Sequence, residues 1–228
     1  MQEINKRVIG VSGYARSGKD TFVKIASNIL NKNGYNTKKL AFADGLKSDL
    51  DDWLKEKYNV SAWTNDDDEK KLIRPFMVAH GCGKRFQTGG QYWIDKVNQS
   101  LSTDNSNNTI YFISDVRFDN EAKWLHENWD GYLVHLKRYS CYTSVLDGKS
   151  TNKVLHRSYD DAPNEEELKQ DPLVLSQADY KLELENVIER EKRLGNIITL
   201  DNLMDNSYLV EEITRCLTKC PFLNIQIT

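Results

Sequence analysis

The feature that most restricts this chain is the segment Gly13-Tyr14-Ala15-Arg16-Ser17-Gly18-Lys19-Asp20-Thr21. It follows a short β-branched run, Arg7 to Ser12, and precedes Phe22, Ile25, Ala26, Ile29 and Leu30 at helical spacing. A buried strand, a glycine-punctuated turn and an amphipathic helix together predict the opening of a βαβ unit. Gly13, Gly18 and Lys19 meet the spacing G-x-x-x-x-G-K. Glycines let the backbone amides converge on phosphate oxygens, and the helix that follows points its positive end at the same place. A lysine there reaches the β- and γ-phosphates of a nucleotide. Gly13, Arg16, Ser17, Gly18, Lys19, Asp20 and Thr21 are therefore the candidate nucleotide-binding residues. Asp20 stands where a hydroxyl usually ligates magnesium. It either meets the metal through water or caps the helix, and Thr21 is placed to contact the α-phosphate.

Further along, Lys39–Ala43 reads as a second strand and Leu46–Tyr58 as a helix. The charged run from Asn65 reads as a solvated helix start, with helices expected over Asp67–His80 and Tyr92–Leu101. A polar loop at Ser102–Asn108 precedes a strong buried-strand signal, Thr109–Ser114, then a helix over Asp119–Asn128 and a strand at Tyr132–Leu136. Tyr139–Gln170 is polar and reads as irregular, with Asp147-Gly148 and Pro163 as turn markers. Asp179–Leu184 and Asn196–Leu200 are further strand candidates, and Leu203, Val210, Ile213 and Leu217 form the stripe of a last helix. These elements predict one α/β domain with a mostly parallel sheet. Its core takes in residues 1–43, 106–138 and 178–228, and insertions at 44–105 and 139–177 are placed to close over ligands.

Composition narrows the partners. The chain has 31 Lys and Arg against 34 Asp and Glu, a net charge of 31 − 34 = −3, which argues against a broad nucleic-acid groove. No apolar stretch approaches the ~18 residues of a membrane span, and the N-terminal apolar run is too short for a signal peptide, so a cytoplasmic protein is expected. Cys82, Cys141, Cys216 and Cys220 read as free thiols rather than a zinc site, since the single CxxxC pair has no companion.

Two strand ends supply the rest of the candidate site. Asp115 and Arg117 follow Thr109–Ser114, where parallel sheets gather their ligands. Asp115 either holds magnesium or its waters or caps a helix; Arg117 clamps a phosphate or forms a surface ion pair. Asp44 and Lys47 follow the second strand, and Asp44 orients an acceptor or caps the helix it begins. Arg74, Arg85, Arg138 and Arg157 lie in segments placed to fold over the site, although single arginines are more often solvated. His156 reads as an exposed loop residue. The five tryptophans read as packing residues, with Trp93 the one most worth following as a base-stacking platform. Arginine forks suit phosphate, and an acceptor phosphate, already ionised near neutral pH, needs no general base. The pattern thus leans towards a phosphorylated acceptor.

In order, GYARSGKDT, FADGLK, HGCGKRF…QYWIDKV, ISDVRFDNEA and LVHLKR resemble the tailed-phage deoxynucleoside monophosphate kinase family, over about residues 8–186. The resemblance implies a P-loop NTPase fold, three-layer α/β/α, of the nucleoside-monophosphate-kinase kind with substrate-binding and lid insertions. It implies ATP and Mg2+ as cofactors and a reaction that converts a dNMP to a dNDP in the host cytoplasm. Aspartate after the P-loop lysine is normal in that family. By resemblance Lys19, Asp115, Arg117 and Arg138 belong to the catalytic centre, with Arg138 at the lid entry. Asp20 and Asp115 would hold the metal through water, and Asp44, Lys47, Arg74, Arg85, Trp93 and His156 lie on the acceptor side. His156-Arg157-Ser158-Tyr159 stands where the family often carries His-x-Ser-Glu. The alternatives are a P-loop kinase for another small acceptor or for a hydroxymethylated base in DNA, and a non-catalytic nucleotide-binding protein. Partners are expected to be small nucleotides, with no stable nucleic-acid or membrane binding, and a homodimer stays open.

Overall fold

The structure is a computed structural model that describes residues 6–145, 153–199 and 202–225. The Asp147-Gly148 turn and Leu200 lie outside them. The chain divides into two compact units, residues 1–38 with 108–228, and residues 39–107.

The first unit holds the sheet. Strand β1 (Arg7–Ser12) leads through the glycine loop into helix α1 (Lys19–Lys32), which ends at Asn33 and Gly34. β2 (Asn36–Leu40) follows and runs across the division between the units. Helices α2 to α4 come next in the chain, then β3 (Thr109–Val116), α5 (Asp119–Trp129) and β4 (Tyr132–Val145). β5 (Lys153–Tyr159), α6 (Glu165–Ser176), β6 (Tyr180–Glu185), α7 (Val187–Arg193) and α8 (Ser207–Leu217) complete it. The strand order is β2-β3-β1-β4-β5, with β6 also paired to β4. β1 runs parallel to β3 and β4, β6 runs parallel to β4, and β5 is antiparallel to it.

Alternate residues of the strands face opposite layers. Ile9, Val11, Ile110, Phe112, Val134 and Leu136 pack with Phe22, Ile25, Leu30 from α1 and Ile213, Leu217 from α8. On the other side α5 crosses β1, where Leu125 presses so close that a Cβ on Gly10 would lie 2.4 Å from its Cδ2. The result is an α/β unit with a mostly parallel sheet and helices on both faces. β1 sits where the chain turns to one side through α1 and to the other through α5, the switch point at which such sheets leave a crevice.

β4 is longer than its apolar signal, Tyr132–Leu136, suggests. Its first half lies between β1 and β6; Tyr139 then pairs Tyr159 of β5 on one edge and Glu185 of β6 on the other. β5 therefore takes over the edge that β1 leaves at Ser12. The stretch expected to be irregular, Tyr139–Gln170, holds this ribbon and the start of α6 among its described residues. Arg157 lies over the Tyr139 ring and Lys137 over Tyr159. Asn196–Leu200, expected as a strand, forms none among its described residues, and Ile197 is exposed.

Within the first unit, the start of β2 is tied to the residue ahead of β3: Asn36 N–H donates to Asn108 O at 3.0 Å, and Asn108 Nδ2 to Gly34 O at 2.8 Å. The insertion at 39–107 lies between these strands in the chain. It is helical, with α2 (Phe42–Tyr58), α3 (Asp67–Thr88) and α4 (Gln91–Thr103). α2 starts earlier than Leu46 because Asp44 accepts the Ala41 N–H at 3.0 Å and caps the helix, so Phe42 and Ala43 belong to it rather than to a strand. Leu54, Val60, Ala62 and Ile73 form a small core there. Asp49 ties the three helices, accepting from Tyr92 Oη at 2.7 Å and Lys96 Nζ at 2.8 Å and pairing His80 Nε2 at 3.3 Å. Burial pushes its carboxyl up, and these three donors overcome that and hold it below its ordinary value. Among the described residues no helix is long and apolar enough to cross a membrane.

Candidate functional site

The glycine loop is shaped by three positive φ angles, 120° at Gly13, 67° at Arg16 and 98° at Gly18. Gly13 has a second reason to be glycine: a Cβ there would lie 2.2 Å from Leu136 O on β4. The loop is thus seated against β4, and Ser17 N–H closes it onto Tyr14 O at 3.1 Å. Gly18 opens α1 without a side-chain cap. Ser17 is 4% exposed, and its hydroxyl has no partner among the described residues. A buried hydroxyl left unpaired costs about 1–3 kcal/mol.

Lys19, 9% exposed, folds back into its own loop and donates to Gly13 O at 2.8 Å and Tyr14 O at 2.7 Å. Burial lowers its pKa to about 8, with the Arg117 guanidinium acting in the same direction; Glu167, Asp115 and Asp20 oppose them. Four charged groups thus act on Lys19 at the end of β1. Asp115 is the last residue but one of β3, and Arg117 opens the turn to α5. That turn is fixed by Glu121, 1% exposed, whose Oε2 accepts the N–H groups of Arg117 at 2.9 Å and Phe118 at 3.2 Å. The Arg117 side chain is exposed and reaches Glu167 Oε1 at 3.5 Å. A small pocket here is lined by Ser12, Gly13, Tyr14, Arg117, Glu167 and Asp171, among others.

Of the residues expected from the sequence, Gly13, Arg16, Ser17, Gly18, Lys19, Asp20, Thr21, Asp115 and Arg117 all lie on the loop, its helix or the end of β3. Arg138 is held by Asp160, Nε to Oδ2 at 2.7 Å. His156 stacks on Tyr142, ring centroids 5.1 Å apart, across the β4–β5 ribbon. Asp44, Lys47, Arg74, Arg85 and Trp93 all belong to the 39–107 unit. There Lys47 Nζ sits over the Trp63 ring at 4.8 Å, Arg74 is exposed, and Arg85 is half-buried on α3. Trp93 is buried, with its indole N–H on Gly81 O at 3.3 Å and Tyr92 and His80 against its ring. Among the described residues no cluster of three or more His, Cys, Asp or Glu is placed to hold a metal by itself.

Sequence reasoning missed Glu121, Glu167, Asp171 and His135. Glu121 carries a local signal, a carboxylate in the first turn of a helix. The other three meet only through the fold.

No family model matches the chain, and no curated protein matches it. Among solved structures, the crystal structure of APE1195 is similar over 89% of this chain and 78% of that one, at 15% identity and a TM-score of 0.30. So distant a likeness carries no argument about this site. The class defined by the geometry is an α/β protein with a mostly parallel sheet, helices on both faces and a glycine loop at its switch point.

Proposed function

We propose that the chain is a P-loop kinase that transfers the γ-phosphoryl group of ATP to a deoxynucleoside monophosphate, giving dNDP and ADP in a cytoplasm. The observation that carries this reading is the convergence on Lys19: a buried ammonium folded onto its own loop carbonyls, with Asp115, Asp20 and Arg117 acting on it. A buried ammonium whose hydrogen bonds go to carbonyl oxygens has no direct anionic contact there, and a polyphosphate would supply one. Loop amides and the α1 N-terminus would hold the β- and γ-phosphates, and Ser17 Oγ would donate to a phosphate oxygen. Lys19 and Arg117 would carry the charge that develops on the transferred group.

Asp20 and Asp115 suit a hard cation held through its waters. When bound, magnesium would neutralise charge between the phosphates. The acceptor side rests on the resemblance, with Asp44, Lys47, Arg74 and Arg85 as its residues. An acceptor phosphate needs no general base.

A coupled assay with ATP, magnesium and each dNMP tests the proposal. Turnover with at least one dNMP, abolished in Lys19→Ala, is expected. Absence of turnover with every dNMP, or full turnover in Lys19→Ala, would refute it.

A further inference from the structure

One amide of the glycine loop is already engaged by an anion from far along the chain. Ala15 N–H donates to Glu167 Oε2 at 2.8 Å, while Arg117 Nη1 lies 3.5 Å from Oε1 of the same carboxylate. The Glu167 side chain is 13% exposed, so this is a seated contact rather than a passing surface pair. A carboxylate that bridges a loop amide and a guanidinium with its two oxygens makes the bonds that a phosphate makes with the same donors.

The helix that carries Glu167 is fixed at two points. Its start is capped by Asn164, whose Oδ1 accepts the Glu167 N–H at 2.9 Å. One turn on, Asp171 lies on the same face as Glu167 and pairs His135 Nε2 at 2.8 Å. His135 is 2% exposed on β4, opposite Ser12 in the parallel register. Tyr14 lies within the field of both acids, and its hydroxyl is pushed up by burial, then Asp171, Glu167 and Asp161. α6 is therefore anchored by Asp171 and presents Glu167 to the loop.

We infer that Glu167 is a built-in anion that competes with an incoming polyphosphate for the amides of the glycine loop and must be displaced by it. The inference rests on the phosphate-site reading above. Its consequence is that this acid weakens nucleotide binding, the opposite of what a residue that shapes the site would do. Displacement frees Ala15 N–H and Arg117 together, so the cation assigned to the transferred group becomes available only when the loop is filled.

The test is titration of inorganic pyrophosphate, and separately of ATP, into the full chain by calorimetry. Glu167→Gln keeps the shape and removes the charge. Loss of one charge-assisted hydrogen bond to the occupant should tighten both ligands by roughly tenfold or more. Glu166→Gln, an exposed neighbour on the same helix, should leave affinity unchanged. Equal or weaker binding in Glu167→Gln overturns the inference, as does equal tightening in Glu166→Gln. Should Glu167→Gln fail to fold, Glu167→Asp, which withdraws the carboxylate from Ala15, is read by the same criterion against wild type. Lys19→Ala separates the two claims: if it binds pyrophosphate as wild type does, the phosphate-site reading is the one that falls.

Discussion

Lys19 makes a prediction about stability that can be measured without any ligand. Its pKa is lowered from 10.5 to about 8 by burial and by Arg117. In the unfolded chain the amine keeps its proton to higher pH, so above about pH 8 the unfolded state binds more protons than the folded one. Stability must then rise with pH. Keeping Lys19 charged inside the fold costs about 3 kcal/mol below its folded pKa, from a depression of about 2.5 pH units at ~1.36 kcal/mol each, and the cost fades as pH climbs towards 10.5. Between about pH 7 and pH 9 the relief amounts to about 1.3 kcal/mol. Other groups titrate in the same range, so the measurement is a comparison. Urea unfolding of wild type and Lys19→Met is followed at several pH values, and the difference between them is plotted. Lys19→Met removes the cost but also the bonds to Gly13 O and Tyr14 O, together worth about 2–3 kcal/mol, so stability near pH 7 should change little. The slope discriminates. Wild type should gain on Lys19→Met by about 1.3 kcal/mol over that interval. A flat or falling difference would refute the burial-lowered pKa of this ammonium.

Gly13→Ala should cost about 3 kcal/mol or more, because it combines a φ of 120° with a Cβ 2.2 Å from Leu136 O, and an unchanged urea midpoint would show that the loop is not seated on β4. Ser17→Ala should do the reverse to the free protein, raising stability by about 1 kcal/mol by removing an unpaired buried hydroxyl while weakening pyrophosphate binding; lower stability with unchanged binding would show that the hydroxyl has a partner within the fold.

The loop and its flanking elements were legible because their signals are local. RVIGVS is a buried apolar run, the glycines sit where positive φ is needed, and the α1 stripe has a helical period. The same holds for β3 and for α5. Legibility fails where burial is scarce. In the ribbon Tyr139 is buried, while Tyr142, Leu155 and Arg157 are exposed, so no alternation survives to betray strands. α6 buries Val174 and carries Pro172, and its stripe is correspondingly faint. Asn196–Leu200 fails the other way: it is apolar by composition, yet Ile197 points to solvent. KLAFA looked like one strand because an apolar run cannot announce that Asp44 will cap a helix from within it. At the site, Asp115 and Arg117 follow from strand-end logic. Glu167 comes from 152 positions beyond its loop partner, and no spacing rule spans that distance.

The hydrogen bond between Asn36 and Asn108 sets the starts of β2 and β3 side by side, and the helical segment runs from the end of one strand to the start of the other. A replacement for the segment between Leu40 and Asn108 must therefore cross back along β2, a connection of about a dozen residues or more rather than a turn. Any crossover of that reach, joined after Leu40, lets the helical module be exchanged for another without redrawing the sheet. A lineage could retain the glycine loop and its acids while trading the helices that accompany them, and a protein engineer could do the same in one cloning step.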